Sequence, residues 1–245
     1  MTTAPRTARA LARETITREI LTAARARLAA DGPAGLSLRA VARDVGMVSS
    51  AVYRYVESRD ALLTLLIVEC YDELGAAVED AERQVPDRED VATRWLAACR
   101  AARAWSVAHP GEFALLYGTP VPGYAAPRDT VDPAIRTVLV LVRVVADAYH
   151  AGVVPPLGPT AESGLTSLVA PAREVVAARG LIDDAPPELV VRTLMAWTTV
   201  LGTVSFELFG HLVGSVDDPH AWFDVVSLRL AADLGIGLQE GFSPG

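Results

Sequence analysis

Residues 44–66 read DVGMVSSAVYRYVESRDALLTLL and set Ser49, Ser50, Tyr53, Arg54, Tyr55 and Arg59 inside a pattern that is otherwise helical. Just before them, Leu38, Val41, Ala42 and Val45 recur at helical spacing behind Ser37, a capping residue type, and Gly46 closes that run. A third helix is expected at once, over 49–56, with Val52 and Val56 turned inward. Ser58 can cap a fourth, long helix whose apolar positions Leu62, Leu65, Leu66, Val68 and Cys70 carry on toward Val85. In front of all this, Ile16, Ile20, Ala24 and Leu28 form a helical stripe that DGPAG at 31–35 stops. Short helix, glycine turn, short helix is a helix-turn-helix pattern.

The polar cluster follows from that placement. With the two valines inward, Ser49, Ser50, Arg54 and Tyr55 point outward, where the second helix of such a motif enters the major groove of DNA. Short hydroxyls permit close approach, and Arg54 carries the fork that matches guanine O6 and N7. Arg59 falls in the first turn of a helix, where the macrodipole opposes a cation, so a compensating group outside the helix is expected and a phosphate would serve. The charge distribution agrees. Residues 1–60 hold ten arginines against six acids, a net of +4, while the remainder holds twelve against twenty-four, a net of -12, within a total of -8. A basic head on an acidic body suits a protein of which only the head meets a polyanion.

The span 21–63, LTAARARLAADGPAGLSLRAVARDVGMVSSAVYRYVESRDALL, resembles the DNA-binding domain of the TetR family of transcriptional regulators. The resemblance rests on the Ala, Gly and Leu spacing before the turn, on Gly46, and on Val52, Tyr53, Tyr55, Val56, Ser58, Arg59 and Leu62. It implies that Arg39, Ser49, Ser50, Tyr53, Arg54, Tyr55 and Arg59 touch DNA, Tyr53 and Arg59 on phosphates. Two positions depart from the family pattern. Val48 stands where a hydroxyl residue usually caps the recognition helix, so that cap comes from Ser49 or is lost, and Arg59 replaces the usual lysine.

A chain of 245 residues can bury a substantial core without staples. The only cysteines, Cys70 and Cys99, lie in apolar helical surroundings without metal or redox spacing, which points to a reducing cytoplasm. No apolar run near the start resembles a signal peptide, and the uncharged run 193–206 is too short to span a bilayer, so no membrane association is expected. Beyond Pro86 helical patterns continue over 90–109, 111–117, 133–153, 161–179, 187–212 and 219–234, with no strand-like alternation. Pro/Gly-rich interruptions fall at 118–133 and 153–164, and the first is long enough to read as a lid or cavity wall. The expectation is an all-α chain: a flexible arm (1–12), a three-helix DNA-binding domain (13–60), a larger helical ligand-binding and dimerisation domain (61–238) and a tail (239–245).

Within that body, WSVAHPGEFALLYGTP (105–120) resembles a segment that marks one TetR C-terminal subgroup, named for its Trp, His and Gly. Trp105 and His109 share a helical face, and Phe113 and Tyr117 on the next helix can close the same space, so the four are candidates to line a ligand pocket; Trp95, Tyr149 and Trp197 are further wall candidates. The alternative is that His109 caps a helix end and the aromatics fill core. Asp147 and His150 are three apart, as metal ligands can be, but lack a second pair, and no phosphate loop, nucleophile elbow or paired-carboxylate motif occurs. No catalytic residue, metal or cofactor is therefore expected. The segment 187–235 is apolar on more faces than one subunit covers, with Ala196, Gly202 and Ser205 small enough for close approach, which fits the family's four-helix dimer interface; the alternative is a large monomer core. The resulting expectation is a homodimeric repressor that leaves a palindromic double-stranded operator when a small, mainly apolar effector binds. A DNA-binding dimer without ligand, or a helical enzyme, are the other readings.

Overall fold

A computed structural model describes residues 7–154 and 163–237. The expected arm is thus seen only from Thr7, and most of the 153–164 interruption and the tail from 239 lie outside the described residues. Helix accounts for 74% of the described residues and no strand occurs among them, so the fold is all-α. Among the described residues eleven α-helices follow one another: α1 (Ala8–Gly35), α2 (Leu38–Asp44), α3 (Ser49–Val52), α4 (Arg59–Arg83), α5 (Val91–Ala108), α6 (Pro110–Tyr117), α7 (Val131–His150), α8 (Ser163–Leu168), α9 (Ala170–Ala178), α10 (Pro187–Leu208) and α11 (Pro219–Asp233). The single helix read over 161–179 is broken between Leu168 and Ala170, just ahead of Pro171, which cannot supply an interior amide. The chain forms two compact units that do not follow chain order: Met1–Glu73 with His109–Ala134, and Leu74–Ala108 with Ile135–Gly245.

The first unit is built on the stripes read above. Ile20, Ala24 and Leu28 of α1, Leu38, Val41 and Ala42 of α2, Val52, Val56, and Leu62, Leu63 and Leu66 of α4 are all buried together. Leu65 and Val68, read as part of the inward stripe, are exposed and half-buried. Gly32, at φ 69°, breaks α1 within DGPAG as expected. Helix α6 joins this unit because Gly111 lets it cross α1 backbone to backbone: a Cβ there would come within 3.1 Å of the main chain of Leu28 and Ala29. Leu115 of α6 and Val121 of the following loop enter the same core, and the Tyr124 hydroxyl lies 3.0 Å from that of Thr64. The 118–133 stretch, expected as a lid or cavity wall, is a strap that supplies side chains to this core.

In the second unit α5 is the central helix, packed on α10 and α11. Its apolar side buries Trp95, Leu96, Cys99, Ala102 and Trp105, and the Trp95 indole donates to the Ser227 carbonyl at 3.0 Å. Its arginines reach across as planar forks. Arg100 grips the buried Asp224 of α11 at 2.9 and 2.5 Å, and Arg103 grips Glu207 of α10 at 2.8 and 2.5 Å. Helix α10 buries Leu189, Val190, Ala196, Val200 and Val204 on one side. On another it leaves Met195 57%, Phe206 54% and, just past its end, Phe209 48% exposed. These three lie within one helical face that also holds Thr199 and Gly202. At 22 residues and a mean hydropathy of 1.4, α10 could cross a bilayer by length and composition alone, in contrast to the shorter uncharged run seen in the sequence. Its packed side, and the Arg192 and Glu207 ion pairs it makes within the fold, are those of a helix held by protein.

Asp224 is held below the ordinary carboxylate range by the hydrogen-bonded Arg100 guanidinium. A depressed folded value means that the ion pair stabilises fully above the unfolded carboxylate value of about 3.9 and loses its effect as pH falls through the lower folded value. Asp224→Asn is expected to lower stability by about 2 kcal/mol at neutral pH. Denaturant melts of the two proteins should converge as pH drops below about 4; a constant gap down to acid pH would show that the charge is not the source.

Candidate nucleic-acid interface

The exposed motif is made by three local devices. Gly46 sits at φ 68°, the left-handed region, and lets the Met47 amide reach back to the Ala42 carbonyl at 2.8 Å, which closes α2 and turns the chain sharply. Ser58 caps α4 by accepting from the Ala61 amide at 3.0 Å. Between them Val52 and Val56 are buried and anchor the recognition segment. Ser37 occupies the N-cap position of α2, but its hydroxyl makes no capping bond.

The recognition helix is shorter than the 49–56 read from the sequence. It ends at Val52, after which the Arg54 amide bonds to Ala51 at 3.2 Å and the Tyr55 amide to Val52 at 2.9 Å, a three-residue turn. Its first residue has no side-chain cap, because Val48 at the N-cap position carries no hydroxyl and is 70% exposed; the cap is lost and Ser49 does not replace it. Arg39, Ser50, Tyr53 and Arg54 are exposed, Ser49 is half-buried, and all remain available to a ligand outside the fold. Tyr55, read as outward, is half-buried against the core, because the tightened turn rotates it inward.

Arg59 also has a partner that the sequence did not suggest. Its Nε donates to the Leu36 carbonyl at 2.9 Å, and its Nη2 to Pro33 at 3.2 Å and Ala34 at 3.3 Å. The group that offsets the macrodipole is therefore a cluster of the chain's own carbonyls, left over where α1 breaks.

Sequence reading missed Arg13. From α1 its Nη1 donates to the Arg54 carbonyl at 2.9 Å while the guanidinium lies 5.6 Å from the centre of the Tyr55 ring. It thus fixes the backbone of the exposed Arg54. Arg13, Tyr53, Arg54, Glu57, Thr64 and Leu65 line a crevice of about 500 Å3. No local pattern marks Arg13 among Arg9, Arg13 and Arg18, because only the fold brings α1 to the end of α3. Two acids of this unit are taken up: Arg27 holds Asp44 at 2.7 and 2.8 Å and Asp31 at 3.2 Å, which keeps the Asp44 carboxylate below its ordinary range.

The aromatic residues proposed as pocket walls divide between the units. His109, Phe113 and Tyr117 belong to the first, where Tyr117 packs 5.3 Å from Phe113 and 5.9 Å from Tyr71. Burial pushes the Tyr117 hydroxyl pKa upward. His109 stands at the N-cap position of α6 without a side-chain capping bond. Trp95, Trp105, Tyr149 and Trp197 belong to the second unit. Trp95 and Phe113 are wholly buried packing residues, whereas His109, Tyr117, Tyr149 and Trp197 are half-buried. An apolar cavity of about 50 Å3 lies elsewhere, walled by Val142 and Val145 of α7, Ala172 and Val176 of α9, and Leu189 and Leu194 of α10, and none of the seven candidates lines it. It was invisible in the sequence because its residues read as ordinary core.

The Asp147 and His150 pair is engaged otherwise: Asp147 accepts from Arg94 at 2.5 Å, and the His150 ring lies 2.8 Å from the Leu181 carbonyl. No group of three metal-ligating side chains occurs among the described residues. Burial pushes the Cys70 and Cys99 thiols up to about 12.

Residues 20–66 match a family model described as bacterial regulatory proteins, tetR family, and residues 95–230 match one described as tetracyclin repressor-like, C-terminal domain. HTH-type transcriptional regulators of Mycobacterium bovis and Mycobacterium tuberculosis are 42% identical over 238 residues, covering 91% of this chain and 94% of theirs. A crystal structure of a regulatory protein superposes with a TM-score of 0.72 at 28% identity, covering 94% of this chain and 100% of that one. A tetR family transcription regulator from Shewanella sp. PV-4 shares the fold, with a TM-score of 0.55 at 16% identity over 87% of this chain and 94% of that one.

Arg59→Ala removes the donors for three carbonyls and is expected to lower stability by about 2 kcal/mol. Arg59→Lys should recover only part, since an ammonium lacks the planar fork. Thermal unfolding followed by circular dichroism measures both, and an unchanged midpoint for the alanine variant would refute the structural role.

Proposed function

The chain belongs to the TetR family of bacterial regulators, and from that premise we propose that it is a homodimeric repressor, released from a palindromic operator in the cytoplasm by a small, mainly apolar molecule. It is a DNA-binding transcriptional regulator and not an enzyme. The observation that carries the reading is the exposed set Arg39, Ser50, Tyr53 and Arg54 on a segment whose inner valines are wholly buried. Ser49 and Tyr55 contribute from its edges, and Arg59, with two of its nitrogens already on carbonyls, offers its Nη1 side to a phosphate. The domain proper is taken as residues 13–60, between the arm 1–12 and the ligand-binding and dimerisation body 61–238, with 239–245 as a tail.

Dimerisation is supported by the apolar face of Met195, Phe206 and Phe209, joined by the exposed Trp222 of α11. Thr199 and Gly202 between them allow a second helix to come close. Release is supported by α4, one uninterrupted helix with Arg59 at its start and Glu79 and Glu82 in its last two turns, where α7 and α5 hold it by ion pairs. An effector that moves those partners moves the helix.

Arg54→Ala should weaken operator binding by about 1 to 3 kcal/mol and relax preference at one base pair in each half-site. Titration of operator and random duplexes tests it, since equal losses on both would mean that Arg54 does not read bases. Phe206→Glu places a charge in the apolar face and should yield a monomer by sedimentation, with protection reduced to a half-site; a persistent dimer would move the interface elsewhere.

A further inference from the structure

The cavity between α7, α9 and α10 offers a candidate effector with almost nothing to hydrogen-bond. Its walls are aliphatic, and the one hydroxyl among them, on Thr193, is spent on the Leu189 carbonyl at 2.7 Å. The helical backbone around it has its own partners, so a polar group placed there would lose water and gain nothing. Apolar cavities of this kind stay dry and accept hydrocarbons or xenon. The space, partly open to the surface beside the exposed Leu194, is about 50 Å3, a third of the roughly 150 Å3 that receives benzene, so a ring-sized guest needs one wall to give. That wall is α9. It is nine residues long, presents Ala172 and Val176 to the void, and is tied by Arg173 to the exposed Asp184 at 2.5 Å and to the Ala185 carbonyl at 2.9 Å.

We propose that this cavity is the effector site, and that it takes a neutral, hydrocarbon-like molecule of about single-ring size, admitted by outward movement of α9. The proposal rests on the reading that an effector controls DNA binding. Helix α7 links the cavity to that control. Val142 and Val145 line the void, while Arg136 and Asp147 leave α7 on its other side. Arg136 forks onto Glu79 with both bonds at 2.7 Å, and Asp147 holds Arg94, which holds Glu82 at 2.6 Å; Glu79 and Glu82 both belong to α4. A guest that displaces α7 therefore displaces α4 through these ion pairs. Leu194 provides a second link, since it lines the cavity and is also exposed next to Met195 on the face proposed to dimerise.

The test uses the full chain with methyl-labelled valine and leucine. Xenon, and then benzene, should shift the methyl signals of Val142, Val145, Val176, Leu189 and Leu194, and benzene should weaken operator binding at least about fivefold. Ala172→Leu fills the void; it should abolish the methyl shifts and weaken operator binding without any guest, while Val142→Ala enlarges the void and should strengthen benzene binding. The absence of xenon shifts at these methyls overturns the site. Methyl shifts with unchanged operator affinity overturn its effector role and make it a packing void. Release by another compound that acts equally on the parent and on Ala172→Leu overturns this location and leaves the ligand-released repressor standing.

Discussion

A break in a helix leaves carbonyls without donors, and the head of this protein is organised around the one side chain that answers them. Gly32 ends the regular part of α1, and the carbonyls of Pro33, Ala34 and Leu36 then face a corner that water only partly reaches. Arg59 fills that corner from the first turn of α4. A cation at a helix start is electrostatically unfavourable, yet here it also stands beside the negative end of another helix, so the favourable dipole of α1 offsets the adverse one of α4. The angle between α1 and α4, and with it the position of everything between them, depends on this fork. A lysine offers no such planar set of donors.

The same chemistry recurs in the body. Lysine is absent from the chain, and arginine carries all 22 basic positions. Arg100, Arg103 and Arg136 each grip a carboxylate on another helix with two bonds, and the buried Arg94 joins Glu82, Asp147 and the Arg88 carbonyl, while Arg88 itself returns to Glu82. Bidentate pairs set angle as well as distance. They give a core made mostly of small residues, alanine and valine above all, the directional definition that interlocking large side chains would otherwise supply.

What could be read from the sequence was what is local. The Gly46 turn, the Ser58 cap, the DGPAG stop and the stripes of α1 and α2 each depend on neighbours within a few residues, and the structure has them where the pattern put them. The start of α3 at Ser49 is where the pattern put it, but its end at Val52 is not legible, because the tightening to three-residue bonds beyond Val52 leaves the inward spacing of Val52 and Val56 unchanged. The partner of Arg59, the grip of Arg13 on Arg54 and the inward turn of Tyr55 are contacts across 23, 41 or more residues or consequences of them, and no spacing encodes those. The aliphatic cavity is harder still, since a void is a property of how valines and alanines meet and not of where they occur. The family resemblance carried the exposed face of the motif because that face is itself a local pattern.

The two thiols have a consequence for what such a regulator can sense. Both are buried, and burial pushes them up to about 12, far above neutral pH, so the thiolate is scarce. Oxidants attack the thiolate, and attack needs access. Cys99 on α5 and Cys70 on α4, whose sulfur accepts from Arg25 at 3.8 Å, therefore serve packing and offer oxidants little to attack. Information about the cell's redox state has no entry through these cysteines.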